Sequence, residues 1–187
     1  WRPYREFIVI NDVNIKHEDI YKADTIILPL VSDFCKKHNL QLKILSVLGV
    51  DEEKLFYESI INEFEFHKTN KNTTPYRNYE LMSDDSMIVG VDSQLQYEAL
   101  ARNYRTGFFS VRGHYIKNKS YTFSWPKKVN SSGTIWCNYP NKTEVYNIME
   151  YLLNVKEDEW LDEVNKYKDI MAYDSENKII INTLKLE

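Results

Sequence analysis

The stretch "MIVGVDSQLQYEALARNYRTGFFSVRG", residues 87–113, carries the clearest structural signal in the chain. It opens as a buried apolar strand and breaks at Asp92-Ser93. Apolar residues then recur at helical spacing to Arg105, and "TGFFSVR" (106–112) returns to a strand. Strand, turn, helix and strand in this order make a βαβ unit, whose two strands run parallel. Many α/β proteins hold a nucleotide at such a turn. This one has no glycine, the residue that usually lets a phosphate approach the backbone.

The same alternation extends outward. "REFIVIND" (5–12) ends in a strand-like run, and 17–39 has helical spacing at Leu30, Val31, Phe34 and Cys35. Pro29 should start or kink that helix, because it lacks an N–H donor. Residues 40–49 read as a buried strand, 51–64 as a helix with an acidic first turn, and 64–69 as a short strand. A polar loop at 70–75 leads to a short helix at 76–86. The pattern lapses over 113–132, a long loop for a compact domain. A short strand at 133–139 and helices at 142–154 and 157–173 follow, and the tail 177–187 fits either helix or strand. The expected fold is α/β, with a mainly parallel sheet and helices on both faces. We expect one domain over 1–187, with 1–16 as a linker or first strand and C-terminal helices over 155–187. In such sheets ligands lie beyond the carboxyl ends of the strands.

Composition narrows the function. The chain has 187 residues, 43% of them hydrophobic, enough for a real core in one domain. Glycine and proline, at 5 each, are too scarce for a disordered or turn-rich chain. A formal charge of −4 with no basic block argues against a nucleic-acid partner. Cys35 and Cys137 form no CxxC pair, which fits buried thiols in a reducing cytoplasm. No apolar run is long enough to span a membrane. The Asn-x-Ser/Thr triplets at Asn72, Asn118, Asn130 and Asn141 are expected to be chance in an Asn-rich chain. The start at Trp1 suggests a processed chain or a piece of a larger protein.

Asp92 and Ser93 precede a helix, so Ser93 either caps it or its neighbouring amides seat an anion. Glu98 either accepts from sugar hydroxyls or pairs with Arg102 four residues on. Arg112 has the fork for a phosphate or carboxylate, and His114 is either an acid–base group or an exposed loop residue. Trp125 or Trp136 could stack on a base or sugar with Lys127 or Lys128 on a phosphate; otherwise the tryptophans plug a loop. The acidic groups at 51–53 and 157–163 read as solvated helix faces. His17, Glu18 and Asp19 are adjacent on one turn and cannot converge on one ion, so no metal is expected. No P-loop, GxGxxG or Ser/His/Asp order is present.

The segment Asp-Ser-Gln-Leu-Gln-Tyr-Glu-Ala-Leu-Ala-Arg (92–102) resembles a pattern of GT-B-type glycosyltransferases of bacterial surface-carbohydrate (lipopolysaccharide or capsule) biosynthesis, roughly D-S-T-L-G-Y-E-A-L-A-R-G before a Phe-rich strand. "YELMSDDSMIVGVDS" (79–93), "FSWPKKVNSSGTIWCN" (123–138) and "EVYNIMEYLLNVKEDEW" (144–160) extend the resemblance, which runs from about residue 17 and is strongest over 79–138. It implies a Rossmann-like three-layer domain, the C-terminal, nucleotide-sugar-binding half of such an enzyme. Asp92, Ser93, Gln94, Leu95, Glu98, Arg112, His114, Trp125 and Lys127 would then contact the donor. No cofactor is implied beyond the nucleotide-sugar itself. Arg112 and Lys127 would suit an acidic, CMP-linked sugar. The acceptor half would lie outside this chain, leaving it inactive alone. The location implied is the cytoplasm, at the inner face of the membrane, with membrane association only through a full-length protein. Gln94 and Gln96 depart from the pattern, standing where it has threonine and glycine. A sugar-nucleotide epimerase of the same fold and a non-catalytic binding or assembly module are the alternatives.

Overall fold

The computed structural model describes residues 7–10, 13–46, 49–68, 77–83 and 86–171, together with Lys178. The 70–75 loop, Asn72 and nearly all of the 177–187 tail lie outside the described residues.

Strands β1 (Phe7–Ile10) and β2 (Val13–Lys16) form an antiparallel hairpin in place of a lone first strand. Helix α1 (His17–Lys37) follows directly. Its residues Ile20, Ala23, Ile27, Val31 and Phe34 recur at three- and four-residue intervals and are all buried. Pro29 falls inside α1 instead of starting it, so the carbonyl of residue 25 has no amide donor at that turn. Strand β3 (Lys43–Leu45) pairs in parallel with β4 (Glu65–His67) across helix α2 (Asp51–Glu58). Helix α3 (Arg77–Glu80) is a single turn.

The second parallel unit is the stretch quoted at the outset. Strand β5 (Met87–Gly90), helix α4 (Gln94–Ala101) and strand β6 (Arg105–Phe109) form the expected βαβ crossover, and β7 (Trp136–Cys137) adds a parallel edge. Helix α5 (Arg112–Tyr115) and a 3-10 turn (Lys119–Tyr121) follow β6. Helices α6 (Lys142–Asn154) and α7 (Glu157–Asn165) come next. The result is a Rossmann-like α/β fold built on short parallel sheets.

Two glycines show the layering. A Cβ on Gly90 would meet the Gln96 side chain of α4 at 2.8 Å, and one on Gly107 would meet Leu152 and Ile148 of α6 at 2.9 and 3.0 Å. Gly90 pairs with Phe108, the neighbour of Gly107, and successive strand residues face opposite ways. Helices α4 and α6 therefore cover opposite faces, and the absence of a side chain lets each come close. The core joins α1, β6, α6 and α7 through Phe34, Phe108, Phe109, Ile148, Leu152 and Trp160. Cys35 and Cys137 are both free and buried in it.

Local caps explain where helices begin and end. Asn103, with φ of 66°, ends α4 four residues before the predicted boundary, and its carbonyl accepts from Trp160 Nε1 at 2.6 Å. Asn141 caps α6 by accepting from the amides of Thr143 and Glu144. Asn118 accepts from the amide and hydroxyl of Ser120. Two of the Asn-x-Ser/Thr triplets are thus turn and cap motifs. The 113–132 segment has its own order, anchored by the fully buried Phe123, whose amide donates to Asn138 Oδ1 at 2.8 Å.

Two acidic groups do not behave as solvated faces throughout. Glu53 is fully buried and accepts from Ser46 Oγ at 2.6 Å. Glu163 is 4% exposed and accepts from Tyr167 Oη at 2.6 Å. Each lies one helical turn from a polar partner or directly across from one, so the carboxylate is buried hydrogen-bonded.

Candidate functional site

Beyond the carboxyl ends of β5 and β6 lies a cleft of about 470 Å³. Asp92, Gln94, Tyr97 and Glu98 form one wall, from the β5–α4 turn and α4. Ser110 closes the floor, and Ser120, Tyr121, Thr122, Trp125 and Met171 form the other wall. A larger groove of about 550 Å³ lies beside α1, lined by Pro29, Leu42, Ile61 and Phe64. It sits before β3 and β4, at the amino ends of their strands, away from where parallel sheets place chemistry.

Ser93 is the N-cap of α4, and the turn is closed on itself. Ser93 Oγ accepts from Leu95 N at 3.3 Å, while Ser93 N donates to Gln96 Oε1 at 3.0 Å. Gln96 N in turn donates to the Ser93 carbonyl at 3.1 Å. This capping box consumes donors that an anion would use. Gln96, 2% exposed, turns inward and donates to the carbonyls of Gly107 at 2.7 Å and Gly90 at 3.2 Å. It does not project over the turn; it bolts α4 to the strands. Gln96→Met keeps the bulk but strands these groups, and should cost about 1–3 kcal/mol in urea unfolding. A loss under about 0.5 kcal/mol would mean that water replaces the amide.

Arg112 opens α5 and is held from two sides. Its guanidinium meets Asp24 Oδ2 of α1 at 2.9 Å and Asp92 Oδ1 at 3.0 Å, and the three side chains are only 17%, 21% and 22% exposed. Burial raises the Asp24 carboxyl above its ordinary range, with Arg112 opposing. Asp92 is raised for the same reason, and the neighbouring Asp24 charge adds to it. One cation between two partly buried carboxylates is a fixed cluster: both terminal nitrogens are engaged, while the buried Nε has no partner among the described residues. Asp24 has no counterpart among the expected site residues. Its signal was its position four residues after Ile20 and three before Ile27, inside the apolar stripe of α1.

The other expected residues separate. Glu98 lines the cleft and accepts from Tyr79 Oη, while Arg102 lies over the Tyr79 ring, 4.7 Å from its centroid. Trp125 is 57% exposed and lines the cleft. Trp136 instead stacks on Phe123 at 4.9 Å between centroids and meets Tyr167 edge-on. Lys127 pairs with Asp169, outside the lining, and His114 is exposed with its ring edge-on to Tyr115. Leu95 is half-buried behind Ser93. Tyr97, Ser110, Ser120, Tyr121, Thr122 and Met171 join the site without having been expected. The Tyr97 hydroxyl accepts from Ser124 N at 3.2 Å, tying α4 to the opposite wall.

Among the described residues, no group of three or more His, Cys, Asp or Glu side chains is placed to hold a metal ion. Among the described helices, none is long and apolar enough to cross a membrane.

Fold and cleft together define a Rossmann-like α/β protein with a polar, aromatic-walled pocket at the carboxyl ends of parallel strands. The model of the family described as "putative O-antigen biosynthesis protein" matches residues 2–187. The chain belongs to this O-antigen biosynthesis family. No curated protein and no solved structure matches the chain.

Proposed function

We propose that the chain is the nucleotide-sugar donor-binding domain of a glycosyltransferase that builds bacterial surface polysaccharide. The observation that carries this reading is the cleft itself, with the exposed Trp125 facing a wall of carboxylate, amide and hydroxyl groups beyond β5 and β6. An exposed indole offers a flat apolar platform for a sugar or base ring, and polar groups around it fix orientation. Membership in an O-antigen biosynthesis family supports a sugar substrate. Glu98 and Asp92 accept from ring hydroxyls, and Trp125 packs on a ring face. The phosphates lie toward the mouth, where the α4 dipole still favours negative charge although its first amides are engaged.

Calorimetric titration with CMP, UDP and GDP and with their sugars tests the proposal. Saturable binding is expected for one nucleotide series, tighter with the sugar attached, with a Kd on the order of 1 μM to 1 mM. A folded protein that binds none of them refutes it. The self-satisfied α4 turn favours a second reading, a non-catalytic binding or assembly module. On that reading, Ser93→Ala and Glu98→Ala in the full-length protein leave its partner interaction unchanged. Loss of sugar transfer in either variant excludes it.

A further inference from the structure

We propose that the cleft selects an uncharged, hydroxyl-rich sugar ring and discriminates against acidic sugars; this rests on the donor-binding reading above. The family resemblance suggested the reverse, with Arg112 and Lys127 suited to an acidic, CMP-linked sugar. Neither is free. The Arg112 guanidinium sits between Asp24 and Asp92, and Lys127 is paired with Asp169.

The residues that do line the cleft set its preference. Among the described residues there, none is Lys, Arg or His, and two are carboxylic acids, Asp92 and Glu98. Asp92 belongs to a cluster with two carboxylates and one guanidinium, so the cation does not offset both acids. Glu98 accepts from a neutral phenol, that of Tyr79. Carboxylates accept readily from hydroxyls; the Ser120 and Thr122 hydroxyls already donate to Asn118 Oδ1 and the Lys119 carbonyl and so accept from a ligand, while Ser110 and Tyr121 can do both. A hydroxyl-rich ring satisfies all of them. A ring carboxylate would face like charge in a partly buried space, where the repulsion is weakly screened. Trp125 completes the fit by covering the apolar C–H face that sugar rings carry.

Matched donors isolate this property, because they differ only at the sugar. UDP-glucose is compared with UDP-glucuronate, and GDP-mannose with GDP-mannuronate, by calorimetry on the intact chain at pH 7 and low salt. The neutral member of whichever pair binds should be about tenfold tighter, a difference typical of one partly screened like-charge contact. Raising the salt should narrow the gap. Glu98→Gln keeps an acceptor for Tyr79 but removes the charge. It should bring the ratio to about threefold or less, as expected for removing one of two acidic groups, even if the weaker acceptor lowers the affinity of both members. Trp125→Ala, at an exposed position, should weaken both members of the pair alike. Equal or tighter binding of the acidic member, or of a CMP-linked acidic sugar over CMP, overturns the charge selection alone. Absence of binding by every nucleotide and sugar overturns the donor-binding reading, and this inference falls with it.

Discussion

Replacing Arg112 with methionine is expected to destabilise the protein by about 3–5 kcal/mol, the usual result of removing one partner from a buried ionic cluster. The guanidinium is what makes two neighbouring carboxylates tolerable in one partly buried place. Without it, Asp24 and Asp92 face each other with no compensating charge. The pH dependence gives the effect a signature that lost packing lacks. Both carboxyls already have folded-state pKa values above the ordinary range, with Arg112 opposing the rise. A carboxyl raised in the fold favours folding fully below its unfolded pKa and loses that contribution as pH climbs through its folded pKa. Removing Arg112 raises both further, so the penalty grows with pH. The stability gap between wild type and Arg112→Met should therefore shrink as pH falls from 7.5 toward the ordinary carboxylate range near 4. Urea unfolding of both proteins across that range measures it. A gap independent of pH would show that the cluster's charge does not matter.

Phe123→Ala is the second large effect, at about 3–5 kcal/mol for an aromatic side chain removed from a closed core. Phe123 is fully buried and touches four rings: Phe108 at 4.7 Å, Trp136 at 4.9 Å, Tyr167 at 5.8 Å and Tyr97 at 6.0 Å between centroids. It also anchors the backbone that carries Thr122 and Trp125 into the cleft. The truncation should thus weaken donor binding as well as lower the urea midpoint. Phe123→Leu, which fills more of the space, should recover most of both losses. Normal donor affinity in a stable Phe123→Ala protein would separate the cleft wall from the core.

Much of the fold was legible because periodicity and caps are local. The helix expected over 142–154 is found as Lys142–Asn154, with Asn141 as its cap. The β5–α4–β6 unit follows from one apolar run, one Ser cap and one Phe-rich strand. The hairpin was harder, since β2 has only four residues and abuts α1 without a turn signal. The site was legible only in part, because its decisive facts are long-range. Asp24 and Arg112 are 88 positions apart, and no local pattern announces their contact. Trp125 and Trp136 share the same neighbourhood in sequence, yet one faces the cleft and the other the core. Gln96 looked like an obstacle where glycine was expected. It proved to be the bolt that holds the turn in place, and it leaves the cleft open.

The two buried thiols turn the fold into its own clock. Burial pushes the Cys137 thiol up to about 12 and also raises Cys35. At neutral pH neither offers the thiolate that reacts with alkylating reagents. One reports from the core side of α1, the other from the edge strand beside Phe109. Their labelling rates therefore count how often each part of the domain opens, and a difference between them would mark where opening begins.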